Sequence, residues 1–183
     1  AGYCGSSIHS ISLGYQAGYS AQGTGSIAIG MNSGIIQDSN AVAIGVGAGS
    51  IYQTQNAVAI GNSAGNAQQG SGSIAIGFKS GNYNQNSTSI AIGIQAGNTN
   101  QGTGSVALGF QSGYNFQGYN SVALGYQSGF NVQGSGAIAI GNLAGNNYQG
   151  TGAIAIGNNS GYTGQYTKSI AIGVQAGYLN QGT

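Results

Sequence analysis

Ser26-Ile27-Ala28-Ile29-Gly30 decides the fold, because close copies of it recur down the whole chain. Copies open at Ser10, Ala41, Ala57, Ser73, Ser89, Ser105, Ser121, Ala137, Ala153 and Ser169, and each closes on a glycine. Those glycines fall at 14, 30, 45, 61, 77, 93, 109, 125, 141, 157 and 173, an interval of 16 residues with one exception of 15. A short period held along a chain is the signature of a solenoid, in which each repeat is stable only when stacked on the next. Within each copy the residues alternate with a period of two and the large ones are mostly β-branched, which predicts a strand. The glycine content, 38 of 183 residues, rules out a helix. The expected fold is therefore all-β: a parallel β-solenoid, or β-roll, of about eleven rungs spaced about 4.8 Å apart. Ile27 then lies under Val42, Val58, Ile74 and Ile90 in turn.

Around that phrase the composition is extreme. Only Asp38, Lys79 and Lys168 carry a full charge, the formal net charge is +1, and proline is absent. A surface so poor in charge resists self-association weakly, which suits a subunit of an assembly. It also lacks the basic footprint that nucleic-acid binding needs. No apolar run approaches the length of a membrane-spanning helix, and no basic start with an apolar core marks a signal peptide. Residues 1–183 read as a single repeat domain with a partial first rung at 1–9. The opening Ala1-Gly2-Tyr3 matches Ala17-Gly18-Tyr19, so the expectation is a fragment of a longer array or a filament subunit.

A second ladder runs through Gln22, Gln37, Gln53, Gln69, Gln85, Gln101, Gln117, Gln133, Gln149, Gln165 and Gln181. Stacked glutamines can donate to one neighbouring rung and accept from the other, so the expected role is a structural amide ladder near a turn. The 15-residue rung loses its residue between Gly34 and Gln37, away from both repeated features, as a strand register that tolerates no slip requires. A second, weaker strand is expected on the arm from Ala17 or Ser33 toward Gln22 or Gln37.

The centre of the first strand holds only small residues: Ser12, then Ala28, Ala43, Ala59, Ala75, Ala91, Ala107, Ala123, Ala139, Ala155 and Ala171. With the flanking aliphatics facing the interior, this strip would face outward and admit a second backbone closely, which makes it a candidate assembly interface around a symmetry axis. The other reading is a small-residue face inside the same roll.

Catalysis finds little to work with. There is one His (His9), one Cys (Cys4), one Asp (Asp38) and no Glu, so neither paired carboxylates nor a metal-ligand cluster can be assembled. The expectation is no enzyme, no cofactor and no metal. The lone Cys4 reads as a turn residue, with an interchain cross-link as the alternative. Binding has more material. Phe110 and Tyr126 stand one rung apart with Gln111 and Gln127 beside them, an arrangement suited to a sugar ring or, more simply, to rung-on-rung stacking that stiffens the rod. Asn86-Ser87-Thr88 and Asn158-Asn159-Ser160 match the glycosylation triplet, near the chance rate for a chain so rich in Asn and Ser. Ice binding would call for a regular threonine face, and Thr24, Thr103, Thr151 and Thr183 occupy the turn in only some rungs.

The unit Ser/Ala-Ile/Val-Ala-Ile/Leu-Gly-x-x-Ala/Ser-Gly resembles the head repeat of trimeric autotransporter adhesins, and similar repeats of phage-type and giant-virus fibre proteins. Asn40, Asn56 and Asn120 match the asparagine that often precedes the strand in that family. The resemblance implies a left-handed roll, three chains packed side by side, and a place on a cell or virion surface. The expected function is thus a structural segment of an extracellular fibre or filament whose partner is itself, side by side or stacked head to tail. The alternative is an adhesin head that contacts glycans or a host surface through its Tyr, Phe, Gln and Asn positions.

Overall fold

The computed structural model describes residues 7–182. It is a parallel β-solenoid with no helix among those residues, built as two facing sheets joined by turns. The first sheet has eleven strands in chain order, from Ile11–Leu13 through Ile27–Ile29 and Val42–Ile44 to Ile170–Ile172. Each strand pairs with the same positions one period on: Ile27 with Val42, Ala28 with Ala43, Ile29 with Ile44. The second sheet has nine strands, from Ala21–Gln22 to Tyr148–Gln149, and is prolonged by the Gln149–Gln165 bridge. The short rung keeps both registers, since Gln22 pairs with Gln37 and Gln37 with Gln53. The missing residue is absorbed in the turn after Gly34.

The facing of the first strand corrects the sequence expectation. Ala28, Ala43, Ala59, Ala75, Ala91, Ala107, Ala123, Ala139, Ala155 and Ala171 point into the roll and are buried, while every flanking Ile, Val and Leu points outward. The core consists of these alanines, a second row of Ala or Ser such as Ala48, Ala64 and Ser80, the Ser or Ala that opens each strand, and the glutamines. Among the described residues no buried side chain is larger than glutamine. The physical reason is the thinness of the roll. A rung of 16 residues spends most of its length on turns, so its two sheets approach too closely for aliphatic side chains to meet between them. A Cβ added at Gly113 would stand 3.3 Å from the Ala107 Cβ and 2.8 Å from the Gln117 Oε1, so the space beside each alanine is already filled. Close packing of this kind leaves no room for an inward isoleucine.

Glycine is needed at two points of the rung. Gly109 has φ +126°, and a Cβ there would meet the carbonyl oxygen of Gly125 at 2.5 Å. Gly113, in the left-handed region at φ +53°, lies against the buried glutamine of its own rung. Stacked backbones therefore touch along a glycine seam.

The second sheet alternates between two rung conformations. In Ile51–Gln53, Ala67–Gln69, Tyr83–Gln85 and Thr99–Gln101 the residue before the glutamine is left-handed: Tyr52, Gln68, Asn84 and Asn100 have φ of 53–59°. In Ala21–Gln22, Ile36–Gln37, Phe116–Gln117, Val132–Gln133 and Tyr148–Gln149 that residue is extended and lies in the strand. Where the type changes, pairing contracts to the glutamines alone, as at Gln37–Gln53 and Gln101–Gln117.

Candidate assembly face and surface platforms

Turning alanine inward turns two aliphatic columns outward. Each of the eleven first-sheet strands contributes two, such as Val106 and Leu108 or Val122 and Leu124, and all are half-exposed or exposed. Leu108 and Leu124 are each 39% exposed and Ile60 is 37%. The columns run without a charged residue along a rod about 50 Å long. Scattered apolar residues are ordinary on a surface, whereas a continuous strip of this length marks an interaction site. The face that the first sheet leaves exposed is therefore this strip rather than the alanine ladder.

The glutamines are buried in every rung from Gln22 to Gln165, and their role differs from the expected one. Each Nε2 donates across the roll to the carbonyl of the first residue in the opposite strand: Gln117 to Val106 at 2.7 Å, Gln133 to Val122 at 2.7 Å, Gln149 to Ile138 at 2.7 Å. A second, longer contact reaches the carbonyl just before the next strand, as from Gln149 to Ala153 at 3.2 Å. Within this ladder, among the described residues, links from one glutamine to the next occur only at Gln37–Gln53, Gln53–Gln69 and Gln165–Gln181. The ladder thus stitches one sheet to the other more than rung to rung, because a main-chain carbonyl lies within reach inside each rung. One consequence is a row of buried oxygens, the Oε1 atoms of Gln85, Gln101, Gln117, Gln133, Gln149 and Gln165, with no hydrogen-bond donor. Each lies against the left-handed glycine of its own rung, so closely that a Cβ added at Gly113 would stand 2.8 Å from the Gln117 Oε1. In the first rung Ser12 replaces alanine, and its Oγ donates to the Gln22 Oε1 at 2.5 Å.

Phe110, Gln111, Tyr126 and Gln127 come together as the sequence spacing suggests. The rings of Phe110 and Tyr126 are stacked with centroids 5.3 Å apart and planes 7° from parallel, and both are exposed. Their neighbouring amides are committed to each other: Gln127 Nε2 donates to Gln111 Oε1, and Gln111 Nε2 to Gln95 Oε1, both at 2.8 Å. Two further stacks, Tyr114–Phe130 and Tyr162–Tyr178, occupy the position after the second glycine. Three asparagines at that position tether the preceding rung instead: Asn66 to the Gly47 carbonyl, Asn98 to that of Lys79, Asn146 to that of Gln127. The sequence reading passed over these tethers, although asparagine alternating with aromatics at one position of the repeat was their signal.

The reactive groups do not converge. His9 and Asp38 are both exposed, Cys4 lies outside the described residues, and no three His, Cys, Asp or Glu come together among the described residues. No described helix is long and apolar enough to cross a membrane. Thr24, Thr103 and Thr151 are exposed in turns several rungs apart and form no continuous row, and Thr183 lies outside the described residues.

Two segments, 6–33 and 117–144, match the YadA head domain repeat. That match and the solenoid fit repeats of the trimeric autotransporter adhesin head type. The matched segments cover just under a third of the chain. No curated protein and no solved structure matches it. The YadA head domain is an extracellular surface adhesin element, and the matched repeat is an adhesin-type β-roll.

Proposed function

We propose that the chain is a structural segment of a fibre displayed on a cell or virion surface, in which copies of the roll pack side by side through the outward aliphatic strip. The observation that carries this is the strip itself: two unbroken apolar columns on a rod whose only charged side chains are Asp38, Lys79 and Lys168. A second copy is the occupant that fits, because its columns repeat at the same spacing and carry no charge to desolvate. Three copies around an axis bury the strip of each at once, in keeping with the trimers that YadA heads form. Light scattering and sedimentation are expected to return three chain masses. The combined variant Leu108→Gln, Leu124→Gln and Ile140→Gln should sediment as a single chain with its β-structure spectrum unchanged. A wild-type chain that stays monomeric and dispersed would sink the proposal.

The second reading is an adhesin head that holds a glycan, and the observation favouring it is the exposed, parallel Phe110–Tyr126 pair. A flat aromatic pair flanked by amides offers one face to a sugar ring. Replacing both rings by serine should abolish attachment to glycan-coated surfaces while leaving the melting profile within a few degrees. Attachment that survives the double change assigns the rings to stiffening the rod.

A further inference from the structure

The two glycosylation triplets, equivalent as sequence, differ sharply in the fold. Asn86, Ser87 and Thr88 are all exposed in the turn that leaves the second sheet, where the Thr88 hydroxyl donates to the Ser87 carbonyl at 2.7 Å but stays open to solvent. The Asn86 backbone is held, its N–H donating to the Gln101 carbonyl at 3.0 Å and its carbonyl accepting from Ser89 Oγ at 2.6 Å, while its side-chain amide makes no hydrogen bond. In the other triplet Asn158 is exposed, but the Ser160 hydroxyl is buried and donates to the Gly157 carbonyl at 3.1 Å. That serine belongs to the inward small-residue row of the core and cannot be presented without unwinding the rung.

We propose that Asn86 is an acceptor for an N-linked glycan and that Asn158 is not. The donor is an oligosaccharide on a lipid pyrophosphate, delivered by an oligosaccharyltransferase that reads the Asn and the Thr88 hydroxyl together. The Asn86 Nδ2–C1 bond forms as the C1–O bond to the pyrophosphate breaks; the leaving group keeps that electron pair, and the amide proton passes to a base of the transferase. Asn86 borders two open grooves on the outside of the second sheet, one of about 420 Å³ with Tyr52, Thr54 and Gln68, the other of about 180 Å³ with Asn100, Phe116 and Tyr119. A glycan there covers the second-sheet side of the rod and leaves the aliphatic strip of the first sheet clear.

The test is secretion of the full chain from a eukaryotic host, followed by peptide mass spectrometry with and without an amidase that removes N-glycans and converts the carrier Asn to Asp. The expected result is that conversion at residue 86 and none at residue 158. Thr88→Ala and Asn86→Gln should each abolish the glycan, whereas Asn158→Gln should leave it in place. Thr88→Ala keeps the asparagine and alters only an exposed turn, so loss of the glycan there reports recognition rather than misfolding. An unmodified Asn86 in secreted chain, a glycan that persists in Thr88→Ala, or occupancy at Asn158 overturns the proposal.

Discussion

The two sheets of the roll are drawn from one chain at one period, yet they are held to different standards. Every first-sheet strand spans three residues and pairs in the same register with its neighbours, from Ile11–Leu13 to Ile170–Ile172. The second sheet changes conformation in blocks, bulged from Gln53 to Gln101 and extended from Gln117 to Gln149. The first is constrained on its inner side by alanines with no spare volume and on its outer side by stacked aliphatics. The second has one inward anchor per rung, the glutamine, and the residues before it face solvent. Uniformity follows confinement: where only one position is gripped, the backbone beside it is free to choose between two local minima.

The largest break in that comparison comes from enlarging the gripped position of the first sheet. Ala123→Leu has no accommodation, since Gly129 and Gln133 fill the space before it. Overpacking without relief costs about 3 kcal/mol or more. Chemical denaturation and circular dichroism should show loss of several rungs around residue 123. Leu124→Gln, one residue along on the outer face, should leave the isolated chain folded and weaken association alone. The same reasoning applies to Ala107→Leu, which injures folding itself, whereas Ile94→Leu, at a variable and exposed turn position, is tolerated.

How much of this was legible in the sequence follows from what repeats. The period, the parallel stacking, the strand at Ile27–Ile29 and the site of the one-residue deletion could all be read, because each depends on which positions recur. Which face turns inward could not be read from alternation, since a period of two only says that the faces differ. The rule that aliphatics go inside presumes room for them. A better signal was present. The central position holds only Ala or, once, Ser, while its neighbours range over Ile, Val and Leu. A position that admits no variation in size is confined; one that exchanges aliphatics freely has slack. The glutamine column obeyed the same rule, and its constancy marked burial. Its cross-roll bonds to carbonyls such as that of Val106 depend on the distance between sheets, which no spacing along the chain states.

A finer test fills the gap that the glutamines leave. Ser12 already supplies a hydroxyl to the Gln22 Oε1 in the first rung. Ala123→Ser should do the same for the unpaired Oε1 of Gln133 at almost no change in volume. A hydrogen bond to a buried, unsatisfied acceptor contributes about 1 kcal/mol. For a chain of this length that raises the melting temperature by about 3 °C. An unchanged or lowered melting temperature would mean that the added hydroxyl makes no net favourable bond to the Gln133 Oε1.

The smallest effects lie in the second sheet, and there the informative quantity is a sign. Tyr52 and Phe116 occupy the same place in the rung, immediately before the glutamine, but Tyr52 is left-handed at φ 56° and Phe116 lies in a strand. A bulky residue in the left-handed region is strained by about 1 kcal/mol, and Gly164 holds the equivalent place in a later rung at φ 69°. Tyr52→Gly should therefore be neutral or stabilising by up to about 1 kcal/mol, the relief of strain outweighing the lost ring. Phe116→Gly should destabilise by about 1 kcal/mol, because glycine gives up strand preference and the contact with Val132 across the sheet. The same substitution at the same repeat position thus shifts stability in opposite directions, measurable as paired denaturation midpoints. If both changes move the midpoint the same way, the two rung types do not differ in energy at that residue, and the blocks in the second sheet must be set by contacts elsewhere in the turn.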